Sequence, residues 1–356
     1  MDEKIYWLAL NFINISYQKL QKLFNELKNI EEIFKLDTKK LVEFGLSKNI
    51  AEKIKRWEEL PLKEEIKYIE NEGINILTIK DPNYPFLLKE IYDPPILFYF
   101  KGNINFNNII PIAIVGTRTP SVYGIKMAEK FAFELSQFGF TIVSGLARGI
   151  DTAAHTGALR ANGKTIGIMG SGFKNFYPPE NRKLGKDIIK NGAVITEYPS
   201  FTLPEKYNFP KRNRIISGLC KGVIIIEAGP KSGALITANF ALEQGRDVFA
   251  LPGRVDTLYS KGTNQLLKEG AILIENTNDI LEALNIKVKE QKQTKKKIET
   301  LTEEEKLIIK ILEQPLNVDE ILSISKIEPK ILLSLLTQLH MKGLIEELPG
   351  KIYRKK

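Results

Sequence analysis

The residues best suited to chemistry stand just after a series of short β-branched runs. After "IAIVG" come Thr117, Arg118 and Thr119 behind Gly116, then Pro120, Ser121 and Gly124. Ser144 and Gly145 close "TIVSG" and lead to Arg148 and Gly149; "TIGIMG" leads to Ser171 and Gly172; "GVIIIEAG" leads to Ser232 and Gly233, with Thr237 beyond. Small residues let backbone amides and helix N-termini approach an anion closely, and arginine adds charge with a planar set of donors. A further stretch, "FPKRNRIISGL", crowds Lys211, Arg212 and Arg214 onto the doorstep of an apolar run. Four such turns together with Arg118, Arg148, Arg212 and Arg214 predict a shared anion-binding edge with several phosphate-sized sites.

Cofactor chemistry fits poorly. The G-x-G-x-x-G fingerprint is absent after the first run, and Ser144 stands where a ribose-binding acid would close the second, which disfavours NAD. "GALRANGKT" is one residue too long for a P-loop, from Gly157 to Gly163, and precedes a strand instead of following one. Ser144, Asp151 and His155 lie close in sequence, but Asp151 and His155 share a helix face at i, i+4, where an ion pair or a cap is the commoner arrangement. Glu197 and Glu227 end strands and could hold Mg²⁺ as a nuclease would, although Glu227 could equally position neighbouring arginines. No catalytic residue, cofactor or metal is assigned.

Aromatic side chains interleave with the charges. Phe173, Phe176 and Tyr177 neighbour Lys174, Arg182 and Lys183, and Tyr198, Phe201, Tyr207 and Phe209 follow. Rings give unpaired bases a stacking face worth about 1–3 kcal/mol each, and cations meet the phosphates, so a nucleic-acid backbone is the anion this pattern suits.

The runs "IAIVG", "TIVSG", "TIGIMG", "AVITE", "GVIIIEAG", "DVFALPG" and "AILIE" alternate with amphipathic stretches or loops. That alternation predicts a doubly wound α/β domain over 71–284, with a mostly parallel sheet and ligands in the crevice beyond the strands' carboxyl ends. Within it, 71–110 reads as a connector in which Pro82, Pro85, Pro94 and Pro95 rule out continuous helix. Residues 1–70 show helical spacing (Leu8, Phe12, Ile15, Leu20, Leu23, Leu27) and a "GLS" turn at Gly45 like that of helix-hairpin-helix modules; the corresponding first turn reads Asn14-Ile15-Ser16. A packing or docking role is expected for it. Residues 285–300 are a basic linker, and 301–356 give three helices and a hairpin, "IEELPGKIYR", the winged-helix pattern.

The chain of 356 residues has a formal charge of +9, a suitable balance for a polyanionic partner. Both ends are electrically balanced, so the surplus lies in the central region and the linker. No apolar run approaches the roughly 18 residues of a membrane span, and acids stand where a signal peptide would carry bases, which points to a cytoplasmic protein with no membrane partner. One cysteine, Cys220, and two histidines make neither an internal disulfide nor a structural zinc site.

Taken in order, "YPFLLKEIYDPPILFYFKGN", "IAIVGTRTPSVYG", "IVSGLARGIDTAAHTGAL", "FYPPENRKL", "FPKRNRIISGL", "EAGPKSGALITANFALEQGRDVFALPG" and "GTNQLLKEGA" resemble the DNA-processing protein A family (DprA, also called Smf) over nearly the whole chain. The resemblance implies an extended Rossmann-like domain, a SAM-like helical N-terminal part and a C-terminal winged helix. It also implies that the protein binds single-stranded DNA, forms a homodimer and hands the strand to the RecA recombinase in natural transformation. Carried onto this chain, the pocket involves Gly116, Thr117, Arg118, Ser144, Gly145, the Tyr177-Pro178 to Asn181 loop, Arg212, Asn213 and Arg214. Ser121, Arg148, Ser232 and Gly233 join it from the edge read above. Thr117 replaces the serine of many relatives and keeps the hydroxyl. Pro179-Glu180 stand where some relatives carry a base, and Lys174 is the substitute. The tail's recognition surface, Glu328, Lys330, Gln338, His340 and Lys342, is weakly charged and suits protein docking.

A second reading is an enzyme of the lysine-decarboxylase-like Rossmann group, which hydrolyses nucleotides through a PGGxGTxxE motif. "GPKSGALITA" occupies that place and has no carboxylate to act.

Overall fold

The computed structural model describes residues 2–286 and 301–355, apart from 342 and 349. Residues 287–300 of the expected linker lie outside the described residues. Two compact units divide the chain, Met1–Lys287 and Val288–Lys356.

The first unit is built on a nine-stranded sheet: β1 (Asn75–Thr78), β2 (Leu97–Gly102), β3 (Ile110–Val115), β4 (Phe140–Ser144), β5 (Thr165–Ile168), β6 (Gly192–Thr196), β7 (Gly222–Ile225), β8 (Asp247–Ala250) and β9 (Ile272–Leu273). Their order is β1-β2-β6-β5-β4-β3-β7-β8-β9. From β6 to β9 neighbouring strands are parallel. Each of the seven β-branched runs becomes one of them, and the helices Val122–Gln137, Ile150–Arg160, Arg182–Asn191, Asn208–Gly218, Gly233–Glu243 and Lys261–Lys268 supply the connections. The protein thus has the Rossmann-like, mostly parallel architecture. Strands covered on both faces must be apolar throughout, and every residue of β4, β5, β6 and β7 is buried.

The connector adds what its prolines obscured. Between Pro95 and Ile104 the chain forms β2, which pairs antiparallel with β6 (Tyr99 opposite Thr196, Lys101 opposite Val194), and β1 pairs antiparallel with β2. The prolines forbid continuous helix there but stand outside both strands, and "LFYF" has strong β propensity.

Residues 2–72 fold into six helices, the last of which, Leu62–Glu72, runs across the expected boundary at residue 70. Leu8, Leu20, Leu23, Ile33, Leu41 and Ile54 share one buried cluster with Phe98, Tyr99 and the sheet. Both helix-hairpin turns use a left-handed residue, Asn14 (φ 59°) in the first and Gly45 (φ 94°) in the second. Asparagine tolerates that region better than other side-chain-bearing residues, so the missing glycine does not cost the turn. Asn14 Oδ1 also accepts from Lys211 Nζ (3.0 Å), Asn11 Nδ2 donates to the Glu197 carbonyl (2.9 Å), and Glu65 Oε1 accepts from the Ser200 amide (2.9 Å) and hydroxyl (2.7 Å). These bonds fasten the helices to the sheet's loops.

The second unit has helices Glu303–Ile311, Val318–Ser325 and Pro329–Met341 with a three-stranded sheet, β10 (Leu316–Asn317), β12 (Ile352–Lys355) and β11 (Ile345–Leu348) in spatial order. Capping boxes at Thr302/Glu305 and Asn317/Glu320 start the first two helices. Ile308, Leu312, Ile321, Leu332, Leu336 and Leu339 form its core. Glu328, Lys330, Gln338 and His340 are exposed, as are Ile331 and Leu333, while Lys342 lies outside the described residues. Among the described residues no helix is long and apolar enough to cross a membrane.

Burial lifts the Glu65 carboxyl above its ordinary range despite its bonds from Ser200. As pH rises through that raised value the folded protein must release a proton the unfolded chain has already lost, so this group's contribution to stability falls with rising pH. Glu65→Gln keeps an acceptor for Ser200 and removes the titration. Urea midpoints at about pH 5 and about pH 8 are expected to separate more in the wild type than in the variant, with the wild type losing more at the higher pH.

Candidate functional site

The strand order reverses between β3 and β7, and the crevice beyond their carboxyl ends opens into a pocket of about 870 Å³. Three turns form its floor. Gly116 is required by packing, because a Cβ there would lie 2.6 Å from Ile150 Cγ1 and 2.8 Å from the Glu227 carbonyl oxygen. The Thr117 amide donates to that same Glu227 carbonyl (2.8 Å), and Ile150 N donates to the Thr117 carbonyl (3.2 Å), so the turns after β3, β4 and β7 are mutually pinned. Gly149 (φ 79°) makes this possible, since a Cβ on it would meet the Thr117 carbonyl oxygen at 2.5 Å.

Two helix N-termini flank the switch point. That of Val122–Gln137 is already occupied: Glu227 accepts from Ser121 N (2.9 Å) and Ser121 Oγ (2.5 Å), and Ser121 Oγ caps the Gly124 amide (3.1 Å). That of Gly233–Glu243 is open. Ser232 Oγ accepts from Ala234 N (3.3 Å), but a Cβ on Gly233 would touch nothing, so packing does not demand glycine there and the bare backbone faces the pocket.

At the mouth stands Arg118, exposed and 5.3 Å over the Phe209 ring, with no carboxylate paired to it among the described residues. Exposed Lys231 and Ile236, Leu258 and Tyr259 also line it, as does the buried Asp151. A free cation on an aromatic face, an open helix N-terminus and apolar walls suit a ligand with phosphates and flat rings.

The helix Asn208–Gly218 sends its cations two ways, Arg212 to this pocket and Lys211 with Arg214 to another. Arg212 is buried: its Nη1 donates to the carbonyls of Gly145 (2.5 Å) and Ile168, at the ends of β4 and β5, and its Nε to Asn213 Oδ1 (3.2 Å). Burial pushes its pKa down to about 10, against the pull of Asp151, so it stays charged at neutral pH within the pocket wall. Burial also raises Asp151. Asn213 Nδ2 donates to the Gly233 carbonyl (3.2 Å), tying this helix to the open N-terminus. Arg214 faces elsewhere, in a bidentate pair with Glu197 (2.8 and 2.7 Å) and 3.5 Å from Asp93, in a separate cavity of about 150 Å³ that Lys211 also lines. Burial opposes the Arg214 charge, but Glu197's attraction and hydrogen bonds hold its pKa above the ordinary value.

Of the expected site residues, Gly116, Thr117, Arg118, Arg212, Asn213, Ser232 and Gly233 line this pocket. Gly145, Arg148 and Tyr177 line an adjoining hollow with Arg118 and Phe209; Arg148 is ion-paired to Glu180, and the Tyr177 ring packs tilted against Phe209, with centroids 5.7 Å apart. Four expectations need correcting. Ser144 is fully buried and donates to the Ile114 carbonyl (2.6 Å), Asn181 Nδ2 is spent on the Leu146 carbonyl (2.8 Å) and Thr152 Oγ1 (2.9 Å), Ser121 serves Glu227, and Arg214 meets an anion of its own chain. Lys174 is exposed but lines a different cleft. Lys231, Leu258 and Tyr259 were missed. Lys231 sits within "GPKSG" and could have been included, whereas "TLYS" carries no motif.

The catalytic alternatives are not assembled. His155 is buried with Nδ1 2.7 Å from Thr165 Oγ1, facing neither Ser144 nor Asp151, and burial pushes its pKa down to about 3. Glu197 and Glu227 are committed to Arg214 and Ser121, and among the described residues no cluster of acids, histidines or cysteines could hold a metal ion.

Comparison with known proteins follows the same lines. The family profile described as DNA recombination-mediator protein A matches residues 75–285, and that of the DprA winged helix domain matches 292–351. Protein Smf of Synechocystis sp. is 34% identical over 396 aligned positions that cover 100% of this chain and 99% of the relative. The X-ray structure of DNA processing protein A from Streptococcus pneumoniae superposes with a TM-score of 0.70 at 38% identity, covering 78% of this chain and 97% of that one. The structure of DNA processing protein A from Helicobacter pylori, described for its single-stranded DNA binding mode, gives a TM-score of 0.54 at 33% identity over 60% of this chain and 95% of that one.

Removing one partner of the buried Arg214–Glu197 pair leaves the other with only the weaker compensation of Asp93 or Lys211. Glu197→Ala and Arg214→Met are each expected to cost about 3 kcal/mol of unfolding free energy, and the Glu197→Leu, Arg214→Met double variant less than either. Chemical denaturation of the four proteins checks this.

Proposed function

Since this chain belongs to the DNA recombination-mediator protein A family, we propose that it binds single-stranded DNA in the crevice between β3 and β7 and, as a homodimer, passes the strand to the RecA recombinase during natural transformation. The observation that carries the binding reading is Arg118, an exposed cation with no paired carboxylate among the described residues, lying on Phe209 at the mouth of the pocket. Phosphates meet Arg118, Lys231 and the open N-terminus of Gly233–Glu243; bases lie against Phe209, Leu258 and Tyr259. The charge on buried Arg212 adds attraction without a contact of its own. Because these groups address phosphates and ring faces and not base edges, binding is tolerant of sequence. Exposed Leu242, Val255 and Leu273 offer apolar surface for a second copy. Transfer to the recombinase rests on family membership, and its test is whether the protein accelerates RecA nucleation on single strands.

The enzymatic alternative gains no support. Helix Gly233–Glu243 carries no acid before its last residue, and the Glu227 carboxylate is held on Ser121. Base release from a nucleoside monophosphate, abolished by Glu227→Ala, would establish it.

Arg118→Ala is expected to weaken binding of a thymidine oligomer about 10- to 100-fold, as loss of a charge-assisted contact to phosphate does, with no change in melting temperature. With about four phosphates neutralised, log K falls against log salt with a slope of roughly −3. Deleting 301–356, a balanced segment, is expected to change affinity little. A flat salt response in fluorescence anisotropy titrations contradicts this reading.

A further inference from the structure

A second cleft, of about 430 Å³, lies where the helix Arg182–Asn191 borders β2 and β6. Lys101, Lys174, Arg182 and Lys186 line it together with Phe173 and Phe176, and no lining residue is acidic. Lys101 reaches Glu72 outside the cleft (3.1 Å). Among the described residues no carboxylate pairs with Lys174, Arg182 or Lys186, all of which are exposed. Arg182 and Lys186 are four apart on one helix, an arrangement of like charges that weakens the helix and is not relieved within the protein. Gly185 stands between them in mid-helix, where glycine is also unfavourable; a Cβ there would lie 2.7 Å from Phe176 Cε2 and Cζ, so its absence lets the ring lie against the helix.

The cleft is placed along a route from the central pocket. That pocket shares Arg118, Ala147 and Phe209 with the adjoining hollow, Tyr177 lines the hollow, and the next residue back in the chain, Phe176, lines the cleft. We propose that this cleft is a second contact for the same single strand, in which Lys174, Arg182 and Lys186 meet phosphates beyond the central pocket and Phe173 and Phe176 receive a base. The inference rests on the single-strand reading of the central pocket. A strand suits the cleft better than an acidic peptide because half-exposed rings stand among the cations, and a base offers them a flat face.

The test titrates the full chain with short (about six nucleotides) and long (about 24 nucleotides) thymidine oligomers over a range of salt. Arg182→Ala with Lys186→Ala is expected to weaken the long oligomer about tenfold, to make its salt slope shallower by about 1.4, and to leave the short one unchanged. Lys164→Ala with Lys221→Ala removes equal charge from exposed positions at the amino ends of β5 and β7, on the opposite rim, and is expected to alter neither. A long-oligomer affinity and slope unchanged by the first pair overturns the cleft alone, as does an equal loss on both oligomers. So does retention of the oligomers with loss of poly-glutamate binding, which assigns the cleft to acidic protein. A wild type that binds neither oligomer overturns the proposed function and this extension together.

Discussion

A parallel sheet presents a row of carbonyl oxygens at its carboxyl rim, and that rim is a poor place to receive a polyanion unless the oxygens are answered. Arg212 answers two of them, on Gly145 just after β4 and on Ile168 at the end of β5. The guanidinium is the right group for it, since planar forked donors reach two acceptors at once and burial leaves it charged at neutral pH. Around that interaction the rest is arranged. Gly145 has no Cβ because one would sit 2.7 Å from the guanidinium, Asp151 balances part of its charge, and Asn213 extends from it to the helix that opens the pocket.

The same helix holds the N-terminal helices in place. Two residues beyond Arg212, Arg214 is locked to Glu197, whose own backbone carbonyl is held by Asn11, and Lys211 reaches Asn14 in the first hairpin turn. One segment therefore fixes the rim of the sheet and anchors the helical part, and that accounts for so much positive charge in so few residues. In the helical part, the left-handed turn at Asn14 bonds to Lys211 of its own chain.

The parallel strands were legible because full burial writes a continuous apolar run, and the turns after β3 and β7 because tight backbone approach demands small residues. The antiparallel strands β1 and β2 were hidden by neighbouring prolines that argue against helix without arguing for strand. What misled was the direction of charge. Residues on a helix advance by about 100° each, so Lys211, Arg212 and Arg214 cannot face one way, and the 200° between Arg212 and Arg214 sends them to nearly opposite sides. That signal was present in "FPKRNR" once the segment was placed on a helix. The burial of Ser144 and Asn181 had no such signal, because a short polar side chain reads alike whether it bonds to a neighbouring carbonyl or to a ligand.

The carboxylate of Glu227 sits on the N-terminus of Val122–Gln137, while the N-terminus of Gly233–Glu243 has none. One positive end is plugged from within and its counterpart across the switch point is not, which makes the crevice lopsided in its electrostatics. A phosphate entering such a slot is drawn to the open wall and not to the sealed one, so the crevice grips an anion from one side.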